Sequence, residues 1–219
     1  MDARTYLAEL VGTFILVVVG SMSIVAGGLV TPPLPALIVA PFGFGLALLA
    51  AIQAVGYVSG GHFNPAVTLG ALLDRRIEPM NALGYVVAQV IGAIAASGFV
   101  LFLAGQAAVQ STANGFPDGK EIQAVAVETV LTAIFLMVIL TVTKRAPGQA
   151  AFSIPLTLVA IHFAGIPFSG ASVNPARTLG PALVGGTLDA SFVVYLIGPL
   201  LGAVIGWALY RALEDRSTP

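Results

Sequence analysis

The sequence predicts an all-α integral membrane protein of six membrane-spanning helices plus two half-helices, laid out as an inverted repeat. Three observations carry that prediction. The 219-residue chain is 58% hydrophobic and only 9% charged, whereas a soluble domain is nearer a quarter charged. No Lys, Arg, Asp or Glu occurs between Glu9 and Asp74. One segment also occurs twice: Ser59-Gly60-Gly61-His62-Phe63-Asn64-Pro65-Ala66-Val67-Thr68-Leu69-Gly70 aligns without a gap on Ser169-Gly170-Ala171-Ser172-Val173-Asn174-Pro175-Ala176-Arg177-Thr178-Leu179-Gly180, at an offset of 110 (174 − 64). The same offset pairs Tyr85 with Tyr195, Gly92 with Gly202 and Ala93 with Ala203, which marks a duplication. A single domain, 1–219, therefore divides into repeat one, about 1–110, and repeat two, about 111–219.

The elements follow in order. Span 1 covers about 6–27 and is read as a span, since Glu9 lies inside the apolar run and no clear small-residue cleavage site follows. Thr31-Pro32-Pro33-Leu34-Pro35 makes a turn, and span 2 covers about 36–57. Each Asn-Pro-Ala box then starts a half-helix. Asn is a favoured N-cap, and Pro at the first helical position gives up only an N–H that had no partner. The apolar stretches 66–73 and 176–184 are about half of what a bilayer crossing needs. Asp74-Arg75-Arg76 ends the first, and span 3 covers about 80–105. A polar loop, 106–120, carries turn residues at Asn114-Gly115-Phe116-Pro117-Asp118-Gly119. Span 4 covers about 122–143, a loop follows over 144–148, and span 5 covers about 151–165 before the second half-helix. Gly185-Gly186-Thr187 ends that half-helix, span 6 covers about 191–213, and 214–219 is a polar tail.

Charge orients these spans. With six crossings both termini share a side, which collects Arg4, Arg75, Arg76, Lys144, Arg145, Arg211 and Arg216, against Lys120 on the other. The positive-inside bias predicts cytoplasmic termini in a plasma or cell inner membrane. Three crossings per repeat is odd, so the second repeat enters upside down, and inverted repeats with interrupted helices place their site near the midplane. There the half-helices meet at Asn64 and Asn174. Non-helical backbone at that depth survives only buried in protein or lining a watery cavity; Gly60-Gly61 and Gly170-Ala171 are such backbone, and a row of waters would satisfy their carbonyls.

Composition excludes other chemistry. Net charge is −1 with no basic patch, so no nucleic acid is expected. With no Cys there is no disulfide, thiol catalysis or Cys metal site. His62 and His162 are the only histidines, too few for a hydrolase or metal site, so the chain reads as a non-enzyme with no cofactor or metal. Glu9 and Glu128 each begin a Glu-x-x-x-Thr, with Thr13 and Thr132. A carboxylate in hydrocarbon faces the protein interior. Two symmetric, isolated acids read as scaffold, accepting N–H bonds from the neighbouring half-helix loop; the alternative is a proton-coupled carrier using Glu9 and Glu128. Arg177 stands where the first repeat has Val67, and a lone buried cation is a functional candidate. His162, 15 residues earlier (177 − 162), is a second donor or acceptor, while His62 reads as pore-loop support. Gly92, Gly98, Gly202 and Gly206, with Ala88, Ala95 and Ala96, read as helix-packing positions.

With these boxes and Ala8-Glu9-Leu10-Val11-Gly12-Thr13-Phe14, the sequence resembles the major intrinsic protein family of aquaporins and glycerol facilitators over about residues 4–212. The resemblance implies a pore in every protomer of a homotetramer, embedded in lipid. Asn64, Pro65 and Ala66 and Asn174, Pro175 and Ala176 become the paired pore boxes. It also implies a four-position filter at Phe44, His162, Ala171 and Arg177. Phe44 and His162 suit the water-selective branch, and Thr178 stands where glycerol facilitators tend to have Asp. Ala171 departs from the Thr or Cys more usual in water channels. The function expected is passive water conduction that excludes ions and protons, with glycerol, ammonia or another small neutral solute as the alternative cargo.

Overall fold

The computed structural model describes residues 2–214. In chain order the helices are α1 (Ala3–Leu29), α2 (Ala36–Ser59), α3 (Pro65–Leu73), α4 (Pro79–Ala104), α5 (Gln106–Ser111), α6 (Glu121–Arg145), α7 (Pro147–Ser169), α8 (Pro175–Val184) and α9 (Phe192–Leu213). Among the described residues there is no strand. Six helices, α1, α2, α4, α6, α7 and α9, are long and apolar enough to cross a membrane. Large apolar side chains stand on their outer surfaces, Phe102 and Ile122 each 83% exposed. In water such a surface would aggregate; against lipid it needs no cover. The tail expected over 214–219 lies outside the described residues beyond Glu214, as does Arg216.

Three boundaries differ from expectation for local reasons. Lys144 and Arg145 form the last turn of α6 rather than a loop, where cations complement the negative helix end. Pro147 then opens α7 at once, so Gly148 is helical and the fifth span is longer at both ends than 151–165. In the polar loop, α5 forms because Gln106 and Gln110 cap the far end of α8: Gln106 Nε2 donates to the Gly185 carbonyl at 2.6 Å and Gln110 Nε2 donates to it at 3.0 Å. Span 2 continues through a π turn, Ile52–Gly56, to Ser59, where Gly60 at φ 90° ends it.

The packing repeats itself. α1 packs on α2 and α4; α6 packs on α7 and α9; α2 and α7 join the halves. Each half-helix lies against the last span of the other half, α3 on α9 and α8 on α4. Small residues set these crossings. A Cβ at Gly92 would sit 2.4 Å from the Leu10 carbonyl oxygen of α1, and one at Gly202 would sit 2.5 Å from the Thr129 oxygen of α6. Gly98 corrects the expectation that it packs helices: nothing lies within 4 Å of a Cβ built there.

Candidate functional site: two half-helix N-termini facing one cavity

Asn64 and Asn174 cap α3 and α8 as read from the sequence. Asn64 Oδ1 accepts the Ala66 N–H at 2.8 Å, and Asn174 Oδ1 accepts from Ala176 at 3.1 Å and Arg177 at 3.2 Å. Those bonds fix which amide atom is nitrogen. Each Nδ2 then reaches across to the other loop: Asn64 donates to the Val173 carbonyl at 2.7 Å, and Asn174 to the Phe63 carbonyl at 2.9 Å. An amide nitrogen carries two N–H groups, so one on each Asn has no protein partner, and both Asn line the same cavity. Pro65, Ala66, Pro175 and Ala176 are buried in the first turns behind them.

The loops that deliver these caps are conformationally costly. Gly60, Gly61 and Phe63 have φ of 90°, 67° and 49°, and Gly170, Ala171 and Val173 have 72°, 47° and 47°, the same positions at the repeat offset. A left-handed β-branched residue such as Val173 is a rare outlier, and each costs about 1–3 kcal/mol that surrounding structure must offset. The buried acids supply the offset. Glu9 Oε1 accepts from Ser59 Oγ at 2.6 Å and His62 N at 2.9 Å, and Oε2 from Phe63 N and Gln89 Nε2, both at 2.7 Å. Glu128 Oε1 accepts from Ser169 Oγ at 2.7 Å and Ser172 N at 2.8 Å, and Oε2 from Val173 N at 2.7 Å. The tyrosines join in at the same offset: Tyr85 Oη donates to the Ser59 carbonyl at 2.8 Å and Tyr195 Oη to that of Ser169 at 2.9 Å. His62 Nδ1 lies 3.2 Å from Thr68 Oγ1, which already donates to the Asn64 carbonyl and accepts from Gln89. The histidine therefore donates there, which ties the loop to α3. Among the described residues no protein donor reaches the carbonyls of Gly60, Gly61, His62, Ala171 or Ser172.

The cavity encloses about 340 Å³. Its wall on α7 is Ala150, Ile154, Leu158 and His162, one side chain per turn, so it runs on the order of 18 Å along that helix. Phe44, Leu48 and Ile52 of α2 make the facing stripe in the same step. Phe44, His162 and Arg177 come together at one end. The Phe44 and His162 rings stack with centroids 5.5 Å apart and 20° between planes, and the Arg177 guanidinium carbon is 4.4 Å from the Phe44 centroid. His162 Nδ1 is 2.9 Å from the Leu158 carbonyl. A carbonyl only accepts, so Nδ1 carries the proton, and Nε2, buried on this wall residue, has no protein partner. Arg177 Nε likewise has no partner.

Ala171 differs from the other three expected filter residues. It is fully buried and absent from this cavity's wall, its methyl lying 3.0 Å from where a Cβ at Gly165 would be. Its left-handed backbone turns the side chain into packing and leaves the carbonyl free. Asn114 is the residue sequence reasoning read only as turn chemistry. Its Oδ1 accepts from Arg177 Nη1 and, at 2.9 Å, from Thr178 Oγ1, while its Nδ2 donates to the Gly170 carbonyl at 2.9 Å.

Two abutting half-helices inside six spans, with one narrow cavity along their junction, define a membrane channel. The chain belongs to the major intrinsic protein family, whose model matches residues 1–210. It is 40% identical over 210 residues to a glycerol uptake facilitator protein-like 6 of Lactiplantibacillus plantarum, covering 92% of this chain and 94% of that protein. It is 38% identical over 232 residues to aquaporin Z of Rhodopseudomonas palustris, covering 100% of this chain and 96% of that one. Mouse aquaporin-5 is 41% identical over 81% of this chain and 69% of its own. The fold superposes with a TM-score of 0.88, at 23% identity and 96% coverage of both chains, on the aquaglyceroporin from Plasmodium falciparum.

Proposed function

We propose that this protein is a passive water channel with Phe44, His162 and Arg177 as its filter and the two Asn amides as its midplane station. The observation that carries the reading is the set of free polar groups along one otherwise apolar cavity. These are one N–H on each of Asn64 and Asn174, the buried Nε2 of His162, and the unpaired carbonyls of the wall residues Gly60, Gly61, His62 and Ser172. A water oxygen accepts from the amides and its protons go to the carbonyls, so single-file water replaces its lost partners step by step. The positive ends of α3 and α8 both point at the Asn pair, and Arg177 adds a fixed charge; together they oppose cations and protons. Ala171 is packed behind this path, and the neighbouring wall residue Ser172 offers its main-chain carbonyl instead. In this reading the Lys and Arg excess on the side of both termini orients them to the cytoplasm, and the protomers assemble as a homotetramer in lipid.

A second reading has its own support. A relative at 40% identity is named a glycerol uptake facilitator-like protein, so glycerol or another small neutral solute is the alternative cargo. Stopped-flow light scattering of proteoliposomes tests the two. Water permeability well above empty liposomes with glycerol flux at the empty-liposome rate supports the water channel; comparable acceleration of glycerol replaces it with the facilitator. The proton-coupled carrier reading has weaker ground: all four acceptor positions of Glu9 are filled by donors, leaving none for a transported proton.

A further inference from the structure

The cavity carries a second guanidinium, at the end away from Arg177. Arg76, just past α3, shares that stretch of wall with Thr143 and Ala150. Its Nε donates to Asp74 Oδ2 at 2.8 Å, Nη1 to Thr143 Oγ1 at 2.7 Å, and Nη2 to the Leu140 carbonyl at 3.0 Å and Tyr210 Oη at 3.4 Å. A guanidinium has five N–H groups; four are placed on protein, and the remaining one, on Nη1, has no protein partner. The bonds come from three elements, the end of α3, the end of α6 and the end of α9, so the group is held in place.

The charges around it do not cancel it. Arg211 Nη1 is 3.7 Å from Asp74 and 3.0 Å from Glu214, and Lys144 pairs with the other oxygen of Glu214, which also accepts from Tyr210 at 3.0 Å. Three cations (Arg76, Lys144, Arg211) meet two carboxylates (Asp74, Glu214), with Arg75 and Arg145 adjacent in sequence and in no ion pair among the described residues. Of all these charges only Arg76 is on the cavity wall. The Lys144 ammonium holds the Glu214 carboxyl below the usual carboxylate range.

We propose that Arg76 is a specificity-determining residue, a second charge barrier that turns cations away at the mouth opposite Arg177, with Asp74 as the residue that positions it. The proposal rests on the channel reading. Cation exclusion is then two-ended, and removing Arg177 alone exposes only part of the leak. The two barriers differ in kind. The Arg76 side chain is 30% exposed, so salt with a Debye length of about 3 Å at 1 M screens it, whereas a buried charge is screened far less.

The test measures potassium flux and osmotic water flux in the same proteoliposomes, for the parent, Arg177→Val, Arg177→Val/Arg76→Gln and Arg177→Val/Arg76→Lys, each checked for a monodisperse size-exclusion profile. At low salt the Gln double variant should leak potassium at least about threefold faster than Arg177→Val, a difference of about 0.7 kcal/mol. The Lys double variant should return to the single-variant rate, and the gap should close at about 1 M salt. Equal leak in the single and Gln double variants at low salt, or a rise that salt leaves unchanged and Lys does not reverse, overturns the role of Arg76. Water flux separates this from failure of the channel: a parent that passes no water overturns the channel reading and the inference with it.

Discussion

At the scale of single residues, the two buried acids look alike in sequence and differ in the number of donors they satisfy. Glu9 accepts four hydrogen bonds and Glu128 three, because Gln89 of α4 reaches Glu9 while Pro199 stands at the matching place in the second repeat. A Gln at either position turns one oxygen into a donor facing donors. We expect Glu9→Gln to cost about 3 kcal/mol and Glu128→Gln less, since only the Val173 N–H meets the altered atom when the amide takes its better orientation. Thermal unfolding in detergent, followed by the loss of the size-exclusion peak, ranks the two; Glu128→Gln as the weaker protein would refute the donor count. Asn114 supports a prediction about transport. It anchors Arg177, Thr178 and the Gly170 carbonyl from a loop 63 residues away (177 − 114). Asn114→Ala should cost about 1–3 kcal/mol of stability, because buried donors of Arg177 and Thr178 lose their acceptor, and should raise the ratio of glycerol to water permeability as the guanidinium loses its tether. An unchanged ratio would mean that Arg177 is held by its stack on Phe44 alone.

At the scale of elements, close crossings decide which glycines matter. Gly92→Ala drives a Cβ into backbone, 2.4 Å from the Leu10 oxygen, and α1 must move away from α4. Overpacking of this kind costs about 1–3 kcal/mol. Gly98→Ala meets nothing and removes a helix-interior glycine, so it should be neutral or stabilising by up to about 1 kcal/mol. Paired melting curves check this, and a Gly98 variant as damaged as the Gly92 variant would count against the crossing geometry. These glycines also show what the sequence could reveal. The half-helices, their Asn caps and the partner loops were legible because one offset of 110 recurs, and the glycines at 92 and 202 share it. Gly98 carries no such register, and small-residue spacing alone did not tell which face of α4 it occupies. Arg177 and His162 stood out in the sequence as a lone membrane cation and a histidine near it, and Phe44 only through the family resemblance, while the packing of the Ala171 methyl depends on a left-handed φ that composition does not encode. Asn114 and α5 were illegible for a different reason: their partners, Arg177 and Gly185, lie 63 and 79 residues away in sequence, outside any local pattern.

At the scale of the whole molecule, the fold argues for a fixed conduit. An ion-coupled carrier works by rocking one repeat against the other so that a central site faces each side in turn. Here the centre is where the two pore loops are bonded to each other. Asn64 and Asn174 each bond the other's loop, and the strained segments behind them are pinned to Glu9 and Glu128. Opening that junction would strand buried amides and carbonyls, each at about 1–3 kcal/mol, while leaving the left-handed residues without their support. The cavity already extends along α7 from Ala150 to His162 past this junction, so no rocking is needed to connect its parts. Water flux should therefore follow the osmotic gradient alone, equal in magnitude for inward and outward gradients. Dissipating a proton gradient with an ionophore, or imposing one, should leave the rate unchanged. Stopped-flow traces with matched osmotic steps and opposed pH steps make the measurement. A rate that rises with the proton gradient and collapses with the ionophore would show that Glu9 or Glu128 is a transported-proton site, and the rigid reading of the midplane would fall with it.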